Sequence, residues 1–216
     1  HFDHVVVEAG KILADSIYNG ARDNGIGVAS LLSAARYLGQ HPSKRSVLFL
    51  AVTAEEKGLL GSRWYAEHPL IPIQQMVFNL NTDGAGYNDT TKLTIIGLGR
   101  TSADQALQEA AGAVGLEAIA DPVPEQNLFD RSDNVNFASM GVPAVTFSPG
   151  LTAFDQEITK YYHQLADEAA SLNFNYIEKL CEAFVLSALS IANADEVPQW
   201  EAGDKYESAA QELYGR

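Results

Sequence analysis

Apolar and polar positions along this chain fall into blocks that switch between two periods. Ser46-Val47-Leu48-Phe49-Leu50-Ala51 is a short continuous apolar run, the pattern of a strand buried on both faces of a parallel sheet. Residues 25–38 instead carry Val28, Leu31, Leu32, Ala35 and Leu38 at helical spacing. A short helix is expected over 59–67, ended by His68-Pro69. Residues 76–80 and 92–97 read as strands. Ser102 predicts the cap of a helix that runs to Val114 and stops at Gly115. Gly141-Val142-Pro143 leads into a further strand over 144–147. Residues 174–193 form the longest amphipathic pattern, with Phe174, Ile177, Cys181, Phe184, Ala188 and Ile191 on one face. Residues 194–216 are polar and read as a peripheral tail. Alternating strands and helices without repeats imply an α/β fold, a three-layer sandwich with a mostly parallel central sheet flanked by helices.

Glu55-Glu56 directly follows the apolar run, in Val52-Thr53-Ala54-Glu55-Glu56-Lys57-Gly58. Ligands collect beyond the carboxyl ends of strands in open α/β sheets. Adjacent carboxylates there point in different directions and can take different roles. Four other segments place chemistry-bearing residues at element ends: His1-Phe2-Asp3-His4, Asn19-Gly20-Ala21-Arg22-Asp23-Asn24-Gly25, Asn79-Leu80-Asn81-Thr82-Asp83-Gly84, and Tyr161-Tyr162-His163-Gln164-Leu165-Ala166-Asp167-Glu168. Together with the Glu pair they offer His1, Asp23, Glu56, Asp83 and His163. Two imidazoles and three carboxylates suit two borderline-soft divalent ions, zinc first. Each motif alone has a plainer reading. Asp23-Asn24-Gly25 is a good helix start, Asp83-Gly84 is a turn signal, and a loop histidine is normally solvated. His41 and His68 precede prolines and read as loop residues, and His4 reads as a neighbour of the site rather than a ligand.

The ordered set HxDH, NGxxDNxxG, TAEEKGLLGS, NxDG, RSD, GVPA and YHxxADE resembles the M28 family of di-zinc aminopeptidases, over residues 1 to about 168. The resemblance implies a zinc-peptidase-like sandwich that hydrolyses N-terminal peptide bonds with two zinc ions. It matches His1 and Asp83 to terminal ligands of one ion, His163 and Glu56 to ligands of the other, and Asp23 to the bridging carboxylate. Glu55 matches the general base. Asp3 matches the acid that orients the first histidine, Tyr162 a tyrosine that polarises the substrate carbonyl, and Arg131 a substrate-contacting arginine. Phe129, Tyr161 and Phe2 are expected to offer an apolar wall for the substrate. The chain departs from the family in having Asn134 where a histidine usually follows Arg-Ser-Asp. The resemblance also places a strand pair and a helix ahead of His1, so the catalytic domain, residues 1–193, is expected to lack its N-terminal part. Two alternatives share the scaffold: a glutaminyl-cyclase-like acyltransferase working with one zinc, and a non-catalytic binding module.

The net charge of −14, from 28 acids against 14 Lys and Arg, makes nucleic acid an unfavourable partner and favours cations, including the protonated amino terminus of a peptide. Cys181 is the only cysteine, which excludes an intrachain disulfide and a thiolate metal site. No apolar run reaches the roughly 18 residues of a membrane span. No signal peptide is visible in this chain; the family resemblance implies export, to periplasm or medium. The sequence leaves the oligomeric state open.

Overall fold

The computed structural model describes residues 1–5 and 17–215. Among them, four strands form one sheet in the order β1 (Asn79–Thr82), β4 (Ala144–Pro149), β2 (Lys92–Ile96), β3 (Glu117–Ile119). β1 and β4 run parallel, with Asn79 opposite Ala144 and Thr82 opposite Phe147. β2 is antiparallel to β4, Ile95 facing Phe147, and parallel to β3. The sheet is therefore mixed, with parallel pairings at both ends.

All six residues of β4 are buried, because helices cover both sheet faces. Val145 and Phe147 of β4, with Leu93 and Ile95 of β2, pack against α1 (Ile26–Gln40), α3 (Asp104–Ala113) and α6 (Phe174–Asn193). Their sheet neighbours Ala144 and Ile96 point the other way, as the two-residue strand period requires. That second face carries α2 (Leu60–Glu67), α4 (Asn134–Ala138) and α7 (Glu207–Tyr214). The short α5 (Gln156–Tyr161) follows β4, and the Asp155 carboxylate caps its first turn. No helix among the described residues is long and apolar enough to cross a membrane.

Several sequence expectations need correction. The run 46–51 forms no ladder among the described residues, and Leu48 is 47% exposed. A groove of about 600 Å³ lies between residues 45–52 and 75–82, and no strand pairing joins the two segments among the described residues. The Phe2 N–H does reach the Val52 carbonyl, at 3.1 Å. Ser102 does not cap α3; its hydroxyl accepts the Gln199 N–H instead. Phe174 of α6 and Leu32 of α1 are exposed, while Tyr176, Leu180 and Ala183 take the inward positions. The stripe drifts because the helix buries more than one row of side chains against α1 and α3. Residues 194–215 lie mostly at the surface, but the segment is anchored to the fold at Trp200. Trp200 is buried on Phe129, and its indole donates to the Gly141 carbonyl at 3.1 Å. Arg100 pairs with Asp204 at 2.7 Å, fixing the segment that leads into α7.

Candidate metal centre

The loop 20–25 is built to deliver Asp23. Gly20 sits at φ +59, a left-handed conformation that glycine adopts freely. The Asp23–Asn24 peptide is cis. Asn24 accepts the Gly27 N–H at 3.1 Å to start α1, and donates to the Thr82 carbonyl at 3.0 Å, tying the loop to the end of β1. The Asp167 carboxylate accepts the main-chain N–H groups of Arg22 (2.8 Å) and Asp23 (3.1 Å). The buried Arg22 guanidinium lies over the rings of Tyr161 and Tyr87, 3.7 and 4.4 Å from their centroids.

Glu55 and Glu56 open a single 3₁₀ turn, Glu55–Lys57, flanked by Ala54 at φ 57 and Leu59 at φ 60. Left-handed backbone at non-glycine residues carries strain that surrounding contacts must hold. Here the Asp3 carboxylate does so by accepting the Ala54 N–H (2.8 Å) and the Thr53 hydroxyl (2.7 Å). Asp83 follows β1, its N–H bonded to the Phe147 carbonyl at 2.9 Å. The Ser132 hydroxyl donates to Asp83 Oδ2 at 2.6 Å and accepts from Asn81 at 2.8 Å. His163 lies just beyond α5 at φ 56, stacked on Tyr162 at 4.0 Å.

These loops bring all five expected donors together. His1 Nε2 lies 3.2 Å from both Asp23 Oδ1 and Asp83 Oδ1, and 3.7 Å from Glu55 Oε2. His163 Nε2 lies 3.2 Å from Asp23 Oδ2 and 3.0 Å from Glu56 Oε1. The two oxygens of Asp23 thus serve different histidines. His1 Nδ1 donates to the Asp3 main-chain carbonyl at 2.7 Å, which leaves Nε2 to face the carboxylates, as outer contacts of ligating histidines commonly arrange. Glu56 Oε1 is buried and makes no well-formed hydrogen bond among the described residues, despite its two imidazole neighbours. Nitrogen and oxygen donors converging on an oxygen that lacks a partner fit a divalent cation of zinc-like softness.

Without a cation, protons take up the charge. Burial pulls the His1 pKa down, but Asp23 and Asp83 outweigh it and push it up to about 12. His163 rises to about 10 through Asp23 and Glu56. Burial and the nearby Asp83 charge raise Glu55 to about 8. Burial would also raise Glu56, yet His163 and His4 lower it to about 2. The two adjacent glutamates are therefore driven apart, the arrangement that separates proton-handling from charge-holding carboxylates.

Beside the cluster is a cleft of about 70 Å³, reached by Glu55, Arg131, Tyr162 and His163 and walled by Ile96, Leu128, Leu151 and Phe154. Burial pushes the Tyr162 hydroxyl up to about 12, keeping it a donor. Arg131 is exposed and reaches the Tyr162 oxygen at 3.4 Å.

Three expected wall residues lie elsewhere. Phe129 is buried against Trp200 and Arg100 because the turn Leu128–Arg131 points Leu128, not Phe129, into the cleft. Tyr161 is held under Arg22, and Phe2 lines the separate groove. Asp3 orients His1 through its main-chain carbonyl; its carboxylate serves Ala54 and Thr53. Asn134 is fully buried and donates to the Phe129 carbonyl, away from the cleft. His41 and His68 bond to carbonyls of their own helices. Sequence reasoning missed Ser132 and Asp167, whose motifs RSD and YHxxADE were visible without their contacts. It also set aside His4, whose Nδ1 lies 3.1 Å from Glu56 Oε1.

The profile of peptidase family M28 matches residues 1–187. Aminopeptidase YwaD of Bacillus subtilis is 25% identical over 185 residues, covering 83% of this chain and 39% of the relative. A vacuolar membrane protease of Schizosaccharomyces japonicus is 42% identical over 67 residues, which is 31% of this chain and 8% of that protein. Among solved structures, the aminopeptidase from Aneurinibacillus sp. strain AM-1 superposes with a TM-score of 0.65 at 23% identity, covering 82% of this chain and 41% of that one. A zinc aminopeptidase from Bacillus subtilis also superposes with a TM-score of 0.65 at 23% identity, over 87% of this chain and 44% of the other. The chain spans about two fifths of the length of the aminopeptidases it matches, 39% for YwaD. With the ordered motifs converging on one centre and the family match running from His1 nearly to the end of α6, the chain belongs to peptidase family M28.

Proposed function

We propose that this domain is the catalytic part of a zinc-dependent aminopeptidase that removes N-terminal residues from peptides. The observation that carries the reading is the division of Asp23, whose Oδ1 faces His1 and whose Oδ2 faces His163, each at 3.2 Å. That division supports two ions sharing one carboxylate, held on one side by His1 and Asp83 and on the other by His163 and Glu56. When bound, the ions would supply a Lewis acid and a water whose pKa is lowered toward about 7.

The chain's own residues would do the rest. Glu55 Oε2, 3.7 Å from His1 Nε2, would receive the proton of the nucleophilic water and hand it to the leaving amine. Tyr162 keeps its proton and donates to the oxyanion. Among the acids lining the cleft, Asp23, Glu55, Glu56 and Asp83, Glu55 and Asp83 would receive the substrate ammonium. Ile96, Leu128, Leu151 and Phe154 form the wall against which the first side chain would pack, supporting apolar N-terminal residues such as leucine. Export to periplasm or medium follows the same family reading.

The test assays the full-length protein on paired peptides with free and acetylated N-termini, alongside elemental analysis. Two zinc ions per chain and cleavage of the free peptides alone are expected. Equal cleavage of both peptides would overturn the exopeptidase reading. Cyclisation of N-terminal glutamine without hydrolysis would favour an acyltransferase, and no reaction with both ions bound would favour a binding module.

A further inference from the structure

His4 stands at the metal centre with no assigned role. Its side chain is 8% exposed, and neither ring nitrogen has a hydrogen-bond partner among the described residues. A neutral imidazole presents one N–H and one lone pair, and burying both unmatched is costly. Nδ1 nevertheless points to company: Glu56 Oε1 lies 3.1 Å away, without the alignment of a hydrogen bond. The same oxygen is 3.0 Å from His163 Nε2. Ligand atoms of His4, Asp23 and Glu56 all fall within 4.8 Å of one another, the spread of groups that share an ion. The His4 ring meets the His163 ring edge-on, with centroids 5.7 Å apart.

The backbone makes room for this ring. A Cβ at Gly20 would stand 2.8 Å from the His4 ring carbon Cγ and 2.5 Å from the Asp23 carbonyl. Gly20 therefore lets His4 and the Asp23 loop approach together.

We propose that His4 is a further zinc ligand, on the side of the centre held by His163, Glu56 and Asp23. The proposal rests on the metal reading of the site given above. It makes the two positions unequal. The His1 side has three protein donors and keeps room for water and substrate, as catalytic zinc sites do. The His163 side has four donors, the number found in closed structural sites. The His4-side ion is then the tightly held one, and the His1-side ion the exchangeable one.

The experiment titrates zinc into metal-free full-length protein against a competing chelator, with His4→Ala and His4→Gln beside the unsubstituted chain. Two affinities are expected in the unsubstituted protein. Both variants should weaken the tighter one, by on the order of 10–100-fold or more, the range seen for losing even outer contacts of a zinc ligand. His4→Gln keeps a donor for Glu56, so recovery of the affinity by glutamine would show a mere hydrogen bond and overturn the proposal. An unchanged tight site in His4→Ala would overturn it as well. If the variants do not fold, ¹⁵N-histidine spectra of the zinc-loaded unsubstituted protein decide. Zinc-shifted resonances from His1, His4 and His163 support the proposal, and shifts confined to His1 and His163 overturn it. An unsubstituted protein that binds no zinc would defeat the metal reading itself, a failure distinct from binding two ions without His4.

Discussion

Replacing Glu55 and Glu56 separately by glutamine divides the two jobs assigned to the pair. Glu55→Gln removes a carboxylate that already holds a proton at neutral pH in the metal-free protein, its pKa raised by burial to about 8. The amide has the shape of the protonated acid, so zinc affinity should change little. Turnover should fall by roughly two to four orders of magnitude, the usual contribution of a general base. At about 1.36 kcal/mol per decade this corresponds to about 2.7 to 5.4 kcal/mol of lost transition-state stabilisation. Stability carries an independent signature. Between pH 4.5 and about 8 the folded metal-free protein retains a Glu55 proton that the unfolded chain releases. Stability therefore falls with rising pH across that window. Glu55→Gln abolishes the effect, so the metal-free variant should gain stability relative to the unsubstituted protein as pH rises to about 8, and hold the difference above it. Glu56→Gln behaves differently, because Glu56 is the anion between His163 and His4, held ionised down to about 2. It should weaken one of two zinc sites. The assays are steady-state turnover of a free peptide, zinc content after dialysis, and thermal unfolding of metal-free samples across pH. Full zinc content and full activity in both variants would refute the reasoning.

Asp23→Asn should disturb both zinc sites together, since each Asp23 oxygen faces a different histidine; loss of only one ion by elemental analysis would contradict a bridging role. Zinc must displace protons from His163, held at about 10, and from His1, held at about 12. Zinc uptake should thus release protons in a pH-stat and tighten as pH rises, and uptake unchanged between about pH 6 and 8 would count against both histidines as ligands. The His163 pairing itself stabilises the metal-free fold fully below 6.5 and loses that contribution as pH rises through about 10. Asp167→Asn leaves one oxygen to accept two N–H groups, those of Arg22 and Asp23. It should cost about 1–3 kcal/mol in chemical denaturation, and an unchanged midpoint would show that the clamp is dispensable.

The elements most legible in the sequence were those whose pattern closes on itself. The helical pattern over residues 174–193 coincides with the boundaries of α6, because an i to i−4 helix supplies its own hydrogen bonds and its apolar period spans five turns. The run 46–51 had an equally clear strand pattern and forms no ladder among the described residues. A strand's hydrogen bonds belong to its neighbours, and no local pattern says whether a neighbour is there. Trp200 shows the same limit from the other side. Its surroundings are polar in sequence, so nothing local marked it as the ring that would pack on Phe129.

The centre was legible as an order of motifs because its three carboxylate donors sit at element ends that also have a local signature. Asp23 precedes a helix start, Glu55 and Glu56 follow an apolar run, and Asp83 directly follows a strand. Its supporting contacts were not legible, since each joins segments far apart in the chain. Asp167 reaches back to Arg22 and Asp23, and Ser132 reaches Asp83 and Asn81. Asn81 and Asp83 show how the end of β1 separates two neighbouring polar side chains. Asn81 and Asp83 have the same parity on an extended chain, yet β1 ends at Thr82. Asn81, still within the ladder, turns its amide to Ser132 and Thr146, while Asp83, one residue past the ladder, keeps Oδ1 within 3.2 Å of His1. Phe129 failed by the complementary rule. In a tight turn one step along the chain rotates a side chain from cleft to core, so the cleft wall fell to Leu128. Donor identity is thus set by where an element ends, and wall identity by how the following turn rotates. The sequence signals element ends through glycine, proline and polar caps, but carries no comparable signal for turn rotation.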